Sequence, residues 1–82
     1  MRYTVVWLPS SQDQLALIWV QGPNRQAVSD AANRIERALQ TNPDLKGRMH
    51  EDLYIYVDLP LVVTYEVSPD DRLVEIVNVA RR

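Results

Sequence analysis

Runs of apolar and polar residues with two different spacings divide the chain into successive elements. Residues 3–8 are rich in β-branched and aromatic side chains and stop at Pro9, which predicts a strand. Ser11 and Gln14 then have the spacing of a capping box at the start of a helix. Residues 22–23 (Gly-Pro) end that predicted helix, because glycine tolerates the left-handed conformation and proline cannot continue a helix.

A second helix is predicted directly after the first. Asn24 is a suitable cap, and over residues 27–39 apolar side chains recur every three or four positions on one face. Residues 41–43 (Thr-Asn-Pro) end it, so the two helices form a predicted hairpin. Trp7 and Trp19 are large apolar side chains and are expected in the core.

Three strand-like segments follow a polar loop predicted at residues 44–52. Residues 53–59 and 61–67 alternate between two faces, with Pro60 separating them. After a turn, residues 72–79 are apolar on both faces, as expected of a central strand. These segments predict an antiparallel meander.

The predicted order is strand, helix, helix, strand, strand, strand. The helical hairpin must cover one face of the sheet to bury its apolar stripe. We therefore predict one α+β domain over residues 1–82 with two layers, a helical hairpin packed on one face of a mainly antiparallel sheet. The sequence leaves open how the first strand joins the sheet.

The composition and net charge of the chain argue against several classes of function. The chain has 82 residues, a formal net charge of −2 and a pI of about 5.2, which disfavours a protein whose main task is to bind phosphates of nucleic acid. It has no cysteine, which excludes disulfides and thiolate metal sites. No other motif indicates a metal ion or a cofactor. Since no leader peptide or membrane-spanning run is recognisable, a cytoplasmic protein is expected.

Three segments, taken with the order of elements, carry a family resemblance. They are residues 46–48 (KGR), residues 62–67 (VVTYEV) and residues 77–82 (VNVARR). In these segments the chain resembles the RelE/ParE superfamily of type II toxin–antitoxin toxins, which includes plasmid stabilisation proteins of bacteria. The resemblance implies a toxin held inactive by a co-encoded antitoxin. Members of the family either cleave mRNA on the ribosome or inhibit DNA gyrase.

The resemblance also shows where this chain departs from the mRNA-cleaving branch. That branch has an arginine in the penultimate strand, where this chain has Val62, and a histidine near the end of the last strand, where it has Ala80. Arg81 matches the arginine that follows, and Lys46 and Arg48 match a basic segment after the second helix. Most of the catalytic set implied by the resemblance is therefore missing.

Alternation within the strands predicts which side chains occupy the sheet face that the helices leave open. The predicted members are Tyr54, Tyr56, Asp58, Val62, Thr64, Glu66, Glu75, Val77, Val79 and Arg81. Cleavage of RNA through a 2′-hydroxyl needs a base, an acid and cations around the phosphate. Three carboxylates around one guanidinium supply the opposite field, so this face is predicted to repel nucleic acid.

Candidate site residues form two overlapping sets. The partner-binding candidates are Tyr54, Tyr56, Leu61, Val62, Arg81 and Arg82. The set for a divergent nuclease is Arg48, His50, Tyr65, Arg81 and Arg82, which would have to cluster on one face. Each also has a structural alternative: a solvated loop histidine, cross-strand packing of tyrosines and a solvated basic end of the chain.

The leading hypothesis is a toxin-like component that acts by protein binding and does not cleave RNA. The partners that the resemblance implies are a cognate antitoxin and, as a target, DNA gyrase or the ribosome, and no membrane is expected. One alternative is a divergent ribosome-dependent mRNA endonuclease. Another is a non-toxic stand-alone member that binds another protein or forms a homodimer. Growth arrest on expression in bacteria would distinguish a toxin from this last alternative.

Overall fold

Five strands and three helices form two layers in the computed structural model, which describes residues 2–82. In chain order the elements are β1 (Thr4–Trp7), α1 (Pro9–Gln21), α2 (Arg25–Leu39), α3 (Pro43–Lys46), β2 (Arg48–His50), β3 (Leu53–Asp58), β4 (Leu61–Ser68) and β5 (Leu73–Arg81). The strands form one sheet in the order β1-β5-β4-β3-β2. The predicted α+β class, with helices packed on a mainly antiparallel sheet, is confirmed.

The first strand lies beside the last. β1 pairs with β5 in parallel, with Thr4 opposite Leu73 and Trp7 opposite Ile76, whereas β2, β3, β4 and β5 pair antiparallel. Two parallel strands need a long connection between them, and here most of the chain provides it. This settles the pairing that the sequence left open.

The segment predicted as a loop contains two short elements. α3 occupies Pro43–Lys46, and β2 adds Arg48–His50 to the edge of the sheet beside β3. All three residues of β2 are exposed, so the strand has no apolar alternation that could reveal it in the sequence.

The first helix begins earlier than predicted. Its N-cap is Leu8, with Pro9 in the first turn and no side-chain cap. Ser11 is instead fully buried, and its hydroxyl Oγ lies 2.8 Å from the carbonyl oxygens of both Leu8 and Ile76. Asn24 caps α2 as predicted, because its side chain accepts a hydrogen bond from the backbone N–H of Ala27.

The core lies between the apolar stripe of α2 and one face of β4 and β5. Its buried members are Val28, Ala31, Ile35, Leu39, Leu61, Val63, Tyr65, Val74, Ile76 and Val79. Trp7 packs against this core, but the expectation for Trp19 was wrong, since 40% of it is exposed. None of the helices within residues 2–82 combines the length and apolar character that a bilayer crossing requires.

Candidate functional site

The β3–β4 register decides which side chains of β3 face the helices. Tyr54 lies opposite Tyr65, and Asp58 lies opposite Leu61; both partners are fully buried under the helical layer. Tyr54, Tyr56 and Asp58 therefore lie on the covered face of the sheet, and their predicted place on the open face was wrong. The tyrosines bring more apolar surface to the core than the aliphatic side chains on the other side of β3.

Asp58 forms an ion pair with Arg34 of α2. Arg34 Nε lies 3.1 Å from each carboxylate oxygen of Asp58, and Arg34 Nη2 lies 2.8 Å from Oδ1. The hydrogen bond with Asp58 raises the pKa of Arg34 above its usual value. Asp58 thus joins α2 to the end of β3 and contributes no charge to the open face.

Arg81 also lies on the covered face. A bulge between Thr64 and Tyr65 places Thr64 opposite Asn78 but Tyr65 opposite Ile76, so β5 carries one extra residue, Val77. Beyond the bulge the two faces of β5 are exchanged relative to a strict period of two. The predictions that Val79 and Arg81 share the face of Glu75 were therefore wrong: Val79 is buried, and Arg81 lies opposite Leu61.

The open face consists of an acidic pair, an aliphatic centre and a basic edge. Glu66 and Glu75 lie directly opposite each other on β4 and β5. Arg48 and His50 lie on the edge strand β2. Between them the open face is largely aliphatic, with these residues on β3 and β4: Leu53, Ile55, Val57 and Val62. Within residues 2–82 the one ion pair is Arg34–Asp58, so none of the four polar residues belongs to one.

The structure does not bring the nuclease candidates together. Arg48 and His50 are exposed on the open face, whereas Tyr65 and Arg81 lie on the covered face and Tyr65 is fully buried. The backbone N–H of Arg82 donates to the carbonyl oxygen of Pro60 at 2.9 Å. Among the partner-binding candidates, Leu61 is fully buried, Val62 lies on the open face, and Tyr54 and Tyr56 are half-buried on the covered face.

Tyr65 holds the segment that leads into β2. Its hydroxyl donates to the carbonyl oxygen of Pro43 at 2.7 Å, and its ring stacks on Tyr54 with the centroids 5.5 Å apart. Burial raises the pKa of Tyr65 to about 12. A β-carbon at Gly47 would overlap the Tyr65 hydroxyl, so glycine is required there by this close approach.

Lys46 has a structural partner. Its Nζ donates to the carbonyl oxygens of Ala38 at 2.7 Å and Thr41 at 2.9 Å, at the C-terminal end of α2. A cation at this end stabilises the helix by satisfying its last carbonyl groups. Of the two basic residues predicted in this segment, Arg48 alone is directed to the open face.

A groove between α1 and α2 is a second candidate site, which sequence reasoning missed. It encloses about 640 Å³ and is lined by Trp7, Gln12, Leu15, Ala16, Trp19, Val20, Val28, Ser29, Ala32, Asn33 and Glu36. Trp7 Nε1 donates to Glu36 Oε1 at 2.6 Å, and Trp19 Nε1 donates to Ser29 Oγ at 3.1 Å. The guanidinium of Arg25 lies 4.7 Å from the centre of the Trp19 ring. An exposed tryptophan held in this way is typical of a binding surface.

Metal binding has no geometric support in the described part of the chain. Across residues 2–82, no three histidine or acidic side chains converge to form a cation site.

Comparisons with known proteins agree with this architecture. No protein-family model and no curated protein matches the chain. A chain of the RelBE2 toxin–antitoxin complex from Mycobacterium tuberculosis superimposes with a TM-score of 0.80 at 16% identity, covering 100% of this chain and 93% of that one. The chain has a RelE/ParE-like fold. This confirms the fold that the sequence resemblance implied.

A second solved structure has a similar arrangement of helices and strands. The conserved hypothetical protein HP0892 from Helicobacter pylori superimposes with a TM-score of 0.63 at 10% identity, covering 98% of this chain and 94% of that one. At these identities the likeness concerns the fold alone.

Proposed function

We propose that this chain is the toxin-type component of a type II toxin–antitoxin pair and acts by binding polypeptides, without cleaving RNA. The observation that carries the proposal is the distribution of charge on the sheet. Glu66 and Glu75 lie directly opposite each other on the open face, while Arg81 is turned to the covered face. Two facing carboxylates oppose the approach of a phosphodiester, and no guanidinium of β4 or β5 offsets them there.

The groove between α1 and α2 is the proposed binding site for the antitoxin. One stripe of each helix lines it, and on α2 the lining residues run from Val28 to Glu36. That stretch is about 12 Å long, enough for two turns of a docked helix. Ala16 and Ala32 are small and allow close approach, and the tryptophans offer large apolar contacts.

The groove also specifies the chemistry of its occupant. The end beside the helical turn is apolar, with Val20 and Val28, while the other end has Gln12, Asn33 and Glu36. An amphipathic helix with aliphatic side chains at every third or fourth position fits the apolar part. A lysine or arginine on that helix would meet the Glu36 carboxylate, which also accepts the Trp7 N–H. We take this helix to belong to a cognate antitoxin.

The cellular target is proposed by analogy with the sequence resemblance. Because the family branch that does not cleave mRNA inhibits DNA gyrase, gyrase in the bacterial cytoplasm is the first target to test, ahead of the ribosome. Supercoiling by purified gyrase, measured over a concentration series of the chain, provides that test.

The RNA part of the proposal is tested with translating ribosomes and purified chain, with mRNA ends mapped by primer extension. No new ends are expected. Arg48 and His50 share the open face two residues apart, and they are the groups that a nuclease would use there. A cut that disappears in both Arg48→Ala and His50→Ala would overturn the proposal in favour of an mRNA endonuclease.

The partner part is tested with expression in a bacterial host and with the purified product of the adjacent open reading frame. Induction of the chain alone is expected to arrest growth, and co-expression of the neighbour is expected to relieve the arrest. Ala16→Arg places a charge in the groove, and Leu17→Arg makes the same change one residue away, outside the groove lining. Only Ala16→Arg is expected to weaken binding. Unhindered growth would instead favour the non-toxic stand-alone alternative.

A further inference from the structure

The open face carries opposite charges on opposite sides of an aliphatic strip. Glu66 and Glu75 lie on β4 and β5, and Arg48 and His50 lie on β2 at the sheet edge. The sheet order separates β2 from β4 by one strand, which is about 10 Å at ordinary strand spacing. None of the four side chains belongs to an ion pair within residues 2–82. Like charges directly opposite each other destabilise a sheet, so Glu66 and Glu75 would gain from a cation brought to them.

The strip between the charges is apolar and accessible. Leu53, Ile55 and Val57 of β3 and Val62 of β4 form it, and Val57 is 43% exposed. None of these four side chains is fully buried, because the helices lie on the other face of the sheet. A surface with an apolar centre and a polar rim is suited to protein contact.

A two-fold rotation would bring strand β2 of one copy, with Arg48 and His50, opposite strand β5 of a second copy, with Glu75. A half-turn about an axis that runs along the strands, between β3 and β4, exchanges β2 with β5 and β3 with β4. It preserves position along the strands, so His50 of one copy would lie opposite Glu75 of the other. Arg48 is two residues from His50, about 7 Å along the strand, and an extended arginine reaches that far. The aliphatic strips then meet at the axis.

We propose that the open face binds a second copy of this chain, forming a two-fold, face-to-face dimer. Two sheets packed in this way with roughly aligned strands are a common arrangement in proteins. The occupant is a second copy because the rotation brings His50 of each copy opposite Glu75 of the other, with Arg48 within reach of the same carboxylate, while Glu66 lies opposite Leu53 beside that contact. A nucleic acid would meet the Glu66–Glu75 pair, and a basic peptide would meet Arg48.

The area of the open face limits the expected affinity of the dimer. Four strands about 4.8 Å apart and about six residues long give a flat footprint of roughly 400 Å² per copy. Two copies bury about 800 Å² before the relief of the side chains is counted, which is below the roughly 1,000 Å² expected of a stable interface and in the range of weak, transient contacts. The dimer is therefore expected to be weak and to dissociate on dilution. It leaves the groove between α1 and α2 uncovered and does not depend on the proposed function.

Sedimentation equilibrium over a concentration series tests the dimer through a charge exchange. Glu75→Lys places two cations against each other in the dimer, and Arg48→Glu places carboxylates against each other. Each change alone is expected to weaken association by about tenfold or more. An equal mixture of the two variants is expected to associate again, because both contacts between positions 48 and 75 then join opposite charges. Added salt is expected to weaken the wild-type dimer.

Matched controls distinguish an effect of the charge changes at the interface from an effect of the chain's net charge. Asp13→Lys and Arg37→Glu make the same charge changes at exposed positions of α1 and α2, and both are expected to leave association unchanged. Circular dichroism establishes that each variant is folded, and Glu75→Gln, which removes the carboxylate without adding a cation, replaces Glu75→Lys if the latter is not. A wild-type chain that stays monomeric at its highest soluble concentration overturns the proposal. So does a dimer that these changes do not weaken, or a mixture that associates no better than its components.

Discussion

The guanidinium of Arg81 lies across Gly22 and donates from Nη2 to the carbonyl oxygen of Pro23 at 3.1 Å. Arg81 is the last residue of β5, and Gly22 and Pro23 form the turn between α1 and α2. One side chain therefore joins the end of β5 to the helical hairpin. In this chain Arg81 has a structural partner on the covered face of the sheet.

Gly22→Ala is expected to lower the free energy of unfolding by about 1 kcal/mol. An added β-carbon would lie 2.5 Å from Arg81 Nη1 and 3.0 Å from the carbonyl oxygen of Ile18, so the arginine must move away. Urea unfolding of Gly22→Ala, Arg81→Ala and the double variant measures the coupling between the two residues. The cost of Gly22→Ala should be smaller when Arg81 is already absent. Strictly additive costs would contradict the contact.

Tyr65→Phe is expected to destabilise the fold by about 1–2 kcal/mol. The change removes the hydroxyl that donates to the Pro43 carbonyl at 2.7 Å and leaves that buried oxygen without its partner. The ring and its stacking on Tyr54 are retained, so the loss reports the hydrogen bond. Chemical denaturation gives the free energy. Tyr56→Phe is the control: no hydrogen bond of its hydroxyl is seen within residues 2–82, and its effect should be smaller.

Tyr65 also predicts a loss of stability in alkaline solution. Its pKa is raised by burial to about 12 in the folded chain, from about 10 for an ordinary tyrosine. The folded state therefore favours the protonated form. This contribution is complete below about pH 10 and is lost as the pH rises toward 12. Unfolding measured across this range should show a steeper decline for the wild type than for Tyr65→Phe. If stability declines equally in the two proteins, the pKa of Tyr65 is not raised in the folded chain.

The order of the main elements could be predicted from the sequence because helical spacing and alternation are local signals. The faces of the sheet could not. The bulge opposite Thr64 and Tyr65 inserts Val77 and reverses the faces of β5 beyond it, and no local signal marks that residue. The predicted acidic character of the open face was right for Glu66 and Glu75 and wrong for Asp58, which binds Arg34.

The tertiary contacts of the candidate residues could not be predicted either. The sequence of residues 46–48 does not distinguish the role of Lys46 from that of Arg48. In the structure only Arg48 lies on the open face, because Lys46 binds the C-terminal end of α2. The helical groove was missed because Trp19 was assigned to the core by its type. Its place on the rim depends on how α1 packs against α2.

Lys46→Met is expected to lower stability by about 0.5–1 kcal/mol. Methionine retains an apolar stem of similar length but cannot donate to the carbonyl oxygens of Ala38 and Thr41. Arg48→Met is the matched control, since Arg48 belongs to no ion pair within residues 2–82 and should change stability by less than about 0.5 kcal/mol. Thermal unfolding at a dilution where the chain is monomeric compares the two. A larger effect of Arg48→Met would contradict the role given to Lys46.

Glu51→Gly is expected to stabilise the chain. Glu51 and Asp52 form the two-residue turn between β2 and β3, and Glu51 has a φ of 57°, in the left-handed region that disfavours residues with a β-carbon by about 1–2 kcal/mol. Glycine removes this strain but gains freedom in the unfolded chain, so a net gain of about 0.5–1 kcal/mol is expected. Glu51→Ala keeps the β-carbon and removes the charge, so it should give no such gain. If alanine stabilises as much as glycine in urea unfolding, the cause is the lost carboxylate and the backbone explanation is wrong.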